Sequence, residues 1–132
     1  MDFSLEIITP KGIYLQEKVT SLTVKLTSGY RTFLAGHAPL IGSLDYAPGH
    51  ILKDGKVEYY AILGGAINVT KDKVIVICNA IENAKDIDVS RATESKERAE
   101  ERIKAKDSNV DIKRARLALA RALARLKTAE SK

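Results

Sequence analysis

The stretch Ile112-Lys113-Arg114-Ala115-Arg116-Leu117-Ala118-Leu119-Ala120-Arg121-Ala122-Leu123-Ala124-Arg125-Leu126 contains only Ala, Leu, Lys, Arg and one Ile. Straight-chain residues and Ala lose little freedom on entering a helix, so this composition predicts one. The same bias, with Glu added, reaches back to about Asp86 and is interrupted by one polar patch, Asp107-Ser108-Asn109. Residues 86–132 therefore read as two helices joined by a turn. Further back the grammar changes abruptly. All eight glycines, all three prolines and all seven aromatic residues lie before Ala66, and none lies between Ala66 and Lys132.

Before that break, short apolar runs alternate with turn signals. Leu22-Thr23-Val24-Lys25-Leu26 can send every second side chain to a core and the others to water. Strands are expected near 3–8, 13–18, 20–26, 30–34, 50–54, 56–60, 62–69 and 73–78, while 40–44 reads equally as strand or loop. Thr9-Pro10-Lys11-Gly12, Ser28-Gly29, Ala47-Pro48-Gly49, Asp54-Gly55 and Lys71-Asp72 supply the turns, with Asp54-Gly55 a strong hairpin signal. Many short, regularly spaced strands favour a sandwich or flattened barrel. About 85 residues of β structure suffice for a modest two-layer core. The fold class is thus α+β in two parts, a β unit followed by an antiparallel two-helix hairpin.

The net charge of +5 is unevenly placed. Residues 1–85 hold nine basic and eight acidic groups, and residues 86–132 hold thirteen and nine. Within residues 112–132, seven Lys or Arg stand against the single Glu130, which suggests an acidic partner such as a carboxylate-rich protein, nucleotide or nucleic acid. A nucleic-acid role is disfavoured because no aromatic residue accompanies the basic cluster and residues 86–111 carry eight acidic against six basic groups.

Catalytic and metal chemistry find little support. Cys78 is the sole cysteine, inside the apolar run Val74-Ile75-Val76-Ile77-Cys78, and reads as a buried core thiol. His37 and His50 have no cysteine or carboxylate at a zinc-ligand spacing. Gly64-Gly65 lacks the Lys-Ser or Lys-Thr of a phosphate loop and more simply lets β layers approach closely. No nucleophile–base pair can be assembled, so no catalytic residue is assigned. The N-terminus lacks a secretion signal and no apolar run has membrane-span length, so a soluble cytoplasmic chain is expected.

In the first helix Asp88 can cap the N-terminus. Arg91, Ser95, Arg98 and Arg102 recur on one polar face, and Val89, Ala92, Ala99 and Ile103 form a weakly apolar face of small volume. Such a face contributes little burial, at about 25 cal/mol per Å2, so the helix should detach easily. Ser108-Asn109-Val110-Asp111 fits a capping box that starts the second helix near Asn109. Along that helix Ile112, Ala115, Leu119, Leu123 and Leu126 form an apolar stripe, with Arg114, Arg121 and Arg125 opposite. Guanidinium groups so arrayed can grip carboxylate or phosphate through paired charge-assisted hydrogen bonds.

Four segments occur in one order: Ile8-Thr9-Pro10-Lys11-Gly12, Phe33-Leu34-Ala35-Gly36-His37-Ala38-Pro39-Leu40, the Gly64-Gly65 strand, and Ile87-Asp88-Val89-Ser90-Arg91-Ala92. Together they resemble the epsilon subunit of bacterial F-type ATP synthases over essentially the whole chain. One departure is Ala35, where that family usually has proline. The resemblance implies a ten-stranded β-sandwich over residues 1–85 that binds the rotor stalk, and a regulatory hairpin over 86–132. It implies a non-catalytic rotor subunit that couples proton flow to ATP synthesis and opposes ATP hydrolysis. Its implied partners are the gamma subunit, the c-ring and the alpha and beta catalytic subunits, the last through an acidic segment of beta. Membrane association at the cytoplasmic face would come only through the complex.

The family's nucleotide motif falls on Ile87, Asp88, Arg91 and Ala92, and its further nucleotide contacts on Glu82, Arg98, Arg121 and Arg125. No cofactor is required on this reading; ATP is a regulatory ligand, with Mg2+ left open. Inhibitory contact with the catalytic subunits would use Arg114, Arg116, Arg121 and Arg125. Arg31, Gly36, His37, Ala38 and Pro39 would face the ring.

Overall fold

A computed structural model describes residues 1–105 and 111–131. Eight strands lead into two helices: β1 (Phe3–Thr9), β2 (Gly12–Val19), β3 (Ser21–Leu26), β4 (Gly29–Phe33), β5 (Leu40–Lys53), β6 (Lys56–Val69), β7 (Lys73–Cys78), β8 (Ile81–Asn83), α1 (Val89–Ala105) and α2 (Ile112–Glu130). A single 3-10 turn, Ala84–Asp86, joins β8 to α1. The hydrogen-bonded order is β2-β1-β7-β6-β5-β3-β4, with β8 also on β6. Among the described residues only β1 and β7 pair in parallel.

Alternation does the folding. Phe3, Leu5 and Ile7 of β1, Leu22, Val24 and Leu26 of β3, and Val74, Val76 and Cys78 of β7 all reach one buried cluster. Strands from both ends of the order share that cluster, so the sheet closes over itself as a sandwich. Cys78 lies within it, and burial pushes its thiol from 9.0 up to about 11. The folded protein at pH 8 is therefore expected to react with a disulfide reagent at least tenfold more slowly than the guanidinium-unfolded chain, because thiolate fraction and access both fall. Equal rates would place Cys78 outside the core. The raised value also predicts a stability contribution that is complete below about pH 9 and lost as pH rises through about 11.

Strand boundaries differ from the sequence reading in instructive ways. Segments 40–44 and 50–54 are the two ends of one 14-residue strand, as 56–60 and 62–69 are of another. Ala47-Pro48-Gly49, expected as a turn, lies inside β5 opposite Ile62, Ala61 and Tyr60. Proline is tolerated there because pairing with β3 slips between Thr23 and Leu26, leaving the ladder irregular on that side. Gly49 is needed for close approach, since a Cβ would stand 2.9 Å from the Thr23 carbonyl oxygen. Counting each half of the two long strands separately turns eight strands into ten.

Gly64 and Gly65 take φ of 76° and 137°, open to glycine and costly for other residues. The β6–β7 ladder ends at Gly65, Asn79 N–H donates to the Gly64 carbonyl at 3.1 Å, and pairing resumes with β8 at Ile62. The glycines therefore kink β6 at the point where its partner changes from β7 to β8. Three-residue β8, with no alternation of its own, was missed in the sequence.

Asp88 caps α1, its Oδ1 accepting from Arg91 N–H at 3.1 Å, and Ala92 and Ala99 are the buried residues of that helix. Val89, assigned to the apolar face, is instead exposed, because it precedes the packed part of the helix. The Ser108 capping box and a start at Asn109 lie outside the described residues; Asp111 is the cap observed, accepting from Arg114 N–H at 3.2 Å. On α2 the expected Leu stripe is also revised. Ala115 is buried as expected, but Leu123 is exposed, while Ala122, Ala124 and Thr128 are buried. The reason is that α2 packs on two sides, against α1 and against β5 and β6, and close approach on both favours Ala over Leu. Thr128 satisfies its buried hydroxyl by donating to the Ala124 carbonyl at 2.7 Å.

Candidate functional site

Where the hairpin meets the sandwich, Ala61 and Leu63 of β6, Ile87 just before α1, and Ala124 of α2 form a second buried cluster, flanked by Tyr46, Ala80 and Ala129. Beside it opens a cavity of about 380 Å3 lined by Glu82, Asp86, Asp88, Arg91, Ala92, Ser95 and Arg125. Each wall has a separate origin. Glu82 comes from β8, opposite Ala61. Asp86 ends the 3-10 turn, Asp88 caps α1, and Arg91, Ala92 and Ser95 occupy its first two turns. Arg125 follows buried Ala124 on α2 and its Nε donates to Glu82 Oε1.

Five of the eight residues assigned to nucleotide contact are thereby brought together: Glu82, Asp88, Arg91, Ala92 and Arg125. Ile87 is not in the cavity wall; its side chain is buried in the adjoining apolar cluster and positions the segment. Arg98 and Arg121 also lie outside the wall. Arg98 is exposed and pairs with Glu94 at 3.7 Å, while Arg121 faces solvent with Arg114 and Arg116. Asp86 and Ser95 are lining residues that the motif does not contain. Ser95 was legible as the next residue at helical spacing after Arg91, whereas nothing local marked Asp86.

The electrostatics follow from that list. Three carboxylates face two guanidinium groups. Glu82 and Arg125 offset one another, and Asp88 is partly committed to the helix cap. Arg91 makes no ion pair among the described residues, and it stands in the first turn of α1, where the helix dipole also favours anions. Ala92 keeps the wall open where a longer side chain would fill it. The chemistry is suited to holding an anion that also carries hydrogen-bond donors. Among the described residues no group of three His, Cys, Asp or Glu is placed to hold a metal ion.

Family comparison supplies the context. The ATP synthase delta/epsilon chain family matches through its β-sandwich domain over residues 2–84 and its long α-helix domain over residues 85–130. The chain belongs to the ATP synthase epsilon-chain family. An epsilon chain of Natranaerobius thermophilus is 42% identical over 132 residues, covering 98% of this chain and 94% of the relative. That of Bacillus mycoides is 39% identical over 130 residues, covering 98% of each. A chain in the cryo-EM structure of the Euglena gracilis mitochondrial ATP synthase, OSCP/F1/c-ring in rotational state 1, shares the fold with a TM-score of 0.86 at 22% identity, over 99% of this chain and 82% of that one.

Other residues that the epsilon resemblance singled out lie elsewhere. Arg31 is exposed on β4, opposite Val24, at the edge of the sheet. Gly36, Ala38 and Pro39 are exposed in the β4–β5 loop, with Gly36 at φ 77°. His37 anchors that loop: its ring stands edge-on to Phe33 with centroids 4.8 Å apart, and its Nδ1 lies 2.8 Å from the Ala38 carbonyl oxygen. The half-buried Ala35 packs against the main core. Among the described residues no helix is long and apolar enough to cross a membrane.

Proposed function

We propose that this chain is a non-catalytic rotor subunit whose sandwich engages the gamma subunit and the c-ring, and whose hairpin is a nucleotide-governed brake on ATP hydrolysis. The observation that carries the reading is the cavity lined by β8, the start of α1 and the C-terminal half of α2. A ligand there touches the sandwich and both helices at once, so it binds the folded-back hairpin and not one in which those elements have separated. Differential affinity of that kind is what a ligand needs to shift a conformational equilibrium. ATP fits the chemistry, its phosphates meeting Arg91 and Arg125 and its hydroxyl or amino groups meeting the carboxylates. Arg98 and Arg121 lie outside the wall in the structure described and would approach the phosphates by rotamer change.

With ATP scarce, the hairpin would extend and present Arg114, Arg116 and Arg121 to an acidic segment of the beta subunit. The sandwich loop around Gly36–Pro39, with Arg31, would face the ring, and the chain would sit at the cytoplasmic face of the membrane through the complex alone. The ATP synthase families matched, rather than nucleic-acid-binding ones, favour this reading of the basic helix.

Calorimetric titration of the isolated protein with ATP tests the nucleotide role. One-to-one binding is expected, weakened by at least about thirtyfold in D88A/R91A, since two charge-assisted contacts at roughly 1 kcal/mol or more each are removed. Absence of binding at millimolar ATP, or equal binding by the variant, would overturn it.

A further inference from the structure

Among the described residues, one ion pair and one side-chain hydrogen bond join the hairpin to the sandwich, and both are Glu82–Arg125. The rest of the junction is apolar and largely of small residues: Ala61, Leu63, Ile87 and Ala124, with Ala80 and Ala129 at its rim. Small apolar surfaces attract weakly and tolerate sliding. The pair therefore supplies the directional part of the junction, fixing where α2 sits along β8.

The same pair lines the cavity. While Glu82 occupies Arg125, it also adds a third negative charge to the wall, beside Asp86 and Asp88. An anion entering the cavity thus meets a guanidinium already engaged. We infer that Glu82–Arg125 is a displaceable latch: without ligand it weakly biases the hairpin toward the folded-back state against the extension proposed above, and an anionic ligand takes Arg125 over from Glu82, exchanging a weak tether for a stronger one. A polyphosphate carries more charge than a carboxylate and offers the same two-oxygen face, so it competes for the planar fork on favourable terms. Glu82 then becomes dispensable for compactness. This rests on the cavity being the anion site proposed above, but it reverses the role expected for Glu82, which acts here chiefly in the absence of nucleotide.

Both side chains are about one-third exposed, at 34% and 31%. Solvent screening limits a pair of that kind to a coupling of about two- to fivefold in the open-to-compact ratio. The test uses the full chain with cysteines introduced by D72C and K113C, both exposed positions. Buried Cys78 resists the label. Distances between the two labels then report the open and compact populations by pulsed electron resonance.

Without nucleotide, E82Q is expected to raise the open-to-compact ratio two- to fivefold over its labelled parent, and the reversed pair E82R/R125E to restore it. At saturating ATP, E82Q and its parent are expected to give the same distance distribution. The latch is overturned if E82Q matches its parent without nucleotide, or if the reversed pair is as open as E82Q. The handover is overturned if E82Q stays more open than its parent at saturating ATP. Should ATP leave the parent's distances unchanged, the nucleotide reading and the handover both fall, and the nucleotide-free comparison still decides the latch.

Discussion

Assembled ATP synthase carrying R114A/R116A/R121A in this chain is expected to hydrolyse ATP roughly fivefold faster than the parent complex when nucleotide is scarce, a coupling of about 1 kcal/mol or somewhat more. In the folded-back hairpin these three arginines face solvent and make no ion pair among the described residues. They are therefore available to an acidic partner once α2 is free. Arg125 was grouped with them in the sequence, yet it is half-buried against Glu82, so changing it would disturb both the latch and the brake. Leaving Arg125 in place separates the two. Steady-state hydrolysis by reconstituted complex, with proton-driven synthesis measured in parallel, is the readout. Unchanged hydrolysis would remove the basic helix from the braking role, while synthesis should continue because the sandwich is untouched.

The second large effect is on stability. Gly65→Ala is expected to destabilise the sandwich by roughly 3 kcal/mol, the joint cost of an unfavourable φ and a backbone collision. Its Cβ would run into the Ile77 carbonyl group and stand 2.7 Å from Cys78 Cα, neither of which can rotate away. A fall in Tm on the order of 10 °C should follow in a domain of this size. Gly55→Ala is the control: φ is 75°, but no atom lies within 4 Å of the added carbon, so only the conformational strain of about 1 kcal/mol remains. Equal melting temperatures for the two variants would show that the kink does not require glycine.

Fold legibility depended on how much each element relied on its own sequence. Asp54-Gly55 announced the β5–β6 hairpin because both residues take positive φ, 51° and 75°, which that dipeptide accommodates. Asp88 announced the start of α1 because capping is a local interaction. Ala47-Pro48-Gly49 misled because a turn signal and a strand crossing a slipped register use the same residues. β8 was invisible, being held by β6 rather than by any pattern within Ile81–Asn83. The apolar stripe of α2 failed at Leu123 for a related reason: periodicity identifies an amphipathic helix, but it does not say that two neighbours will compete to pack closely against it.

The site was legible where a motif is short and local. Asp88, Arg91 and Ala92 fall within five residues and reach the cavity together. Glu82 and Arg125 are separated by 43 residues, and only the folded-back hairpin places them in contact. Asp86 joins the wall because the 3-10 turn directs it there, a turn capped locally by Asn83, whose side chain accepts from Lys85 N–H at 3.0 Å.

The position of Asp88 has a mechanical consequence. It lies immediately after Ile87, which is buried in the junction, and immediately before the 17 residues of α1. At 1.5 Å per residue that helix is a lever of roughly 25 Å with its fulcrum at the cavity. Tilting it by about 10° at Asp88 would carry Ala105 through roughly 4 Å, while the cavity wall near Arg91 would shift by under about 1 Å. A ligand-sized adjustment at the fulcrum is thus multiplied at the tip, and stiffness along α1 sets how faithfully it arrives.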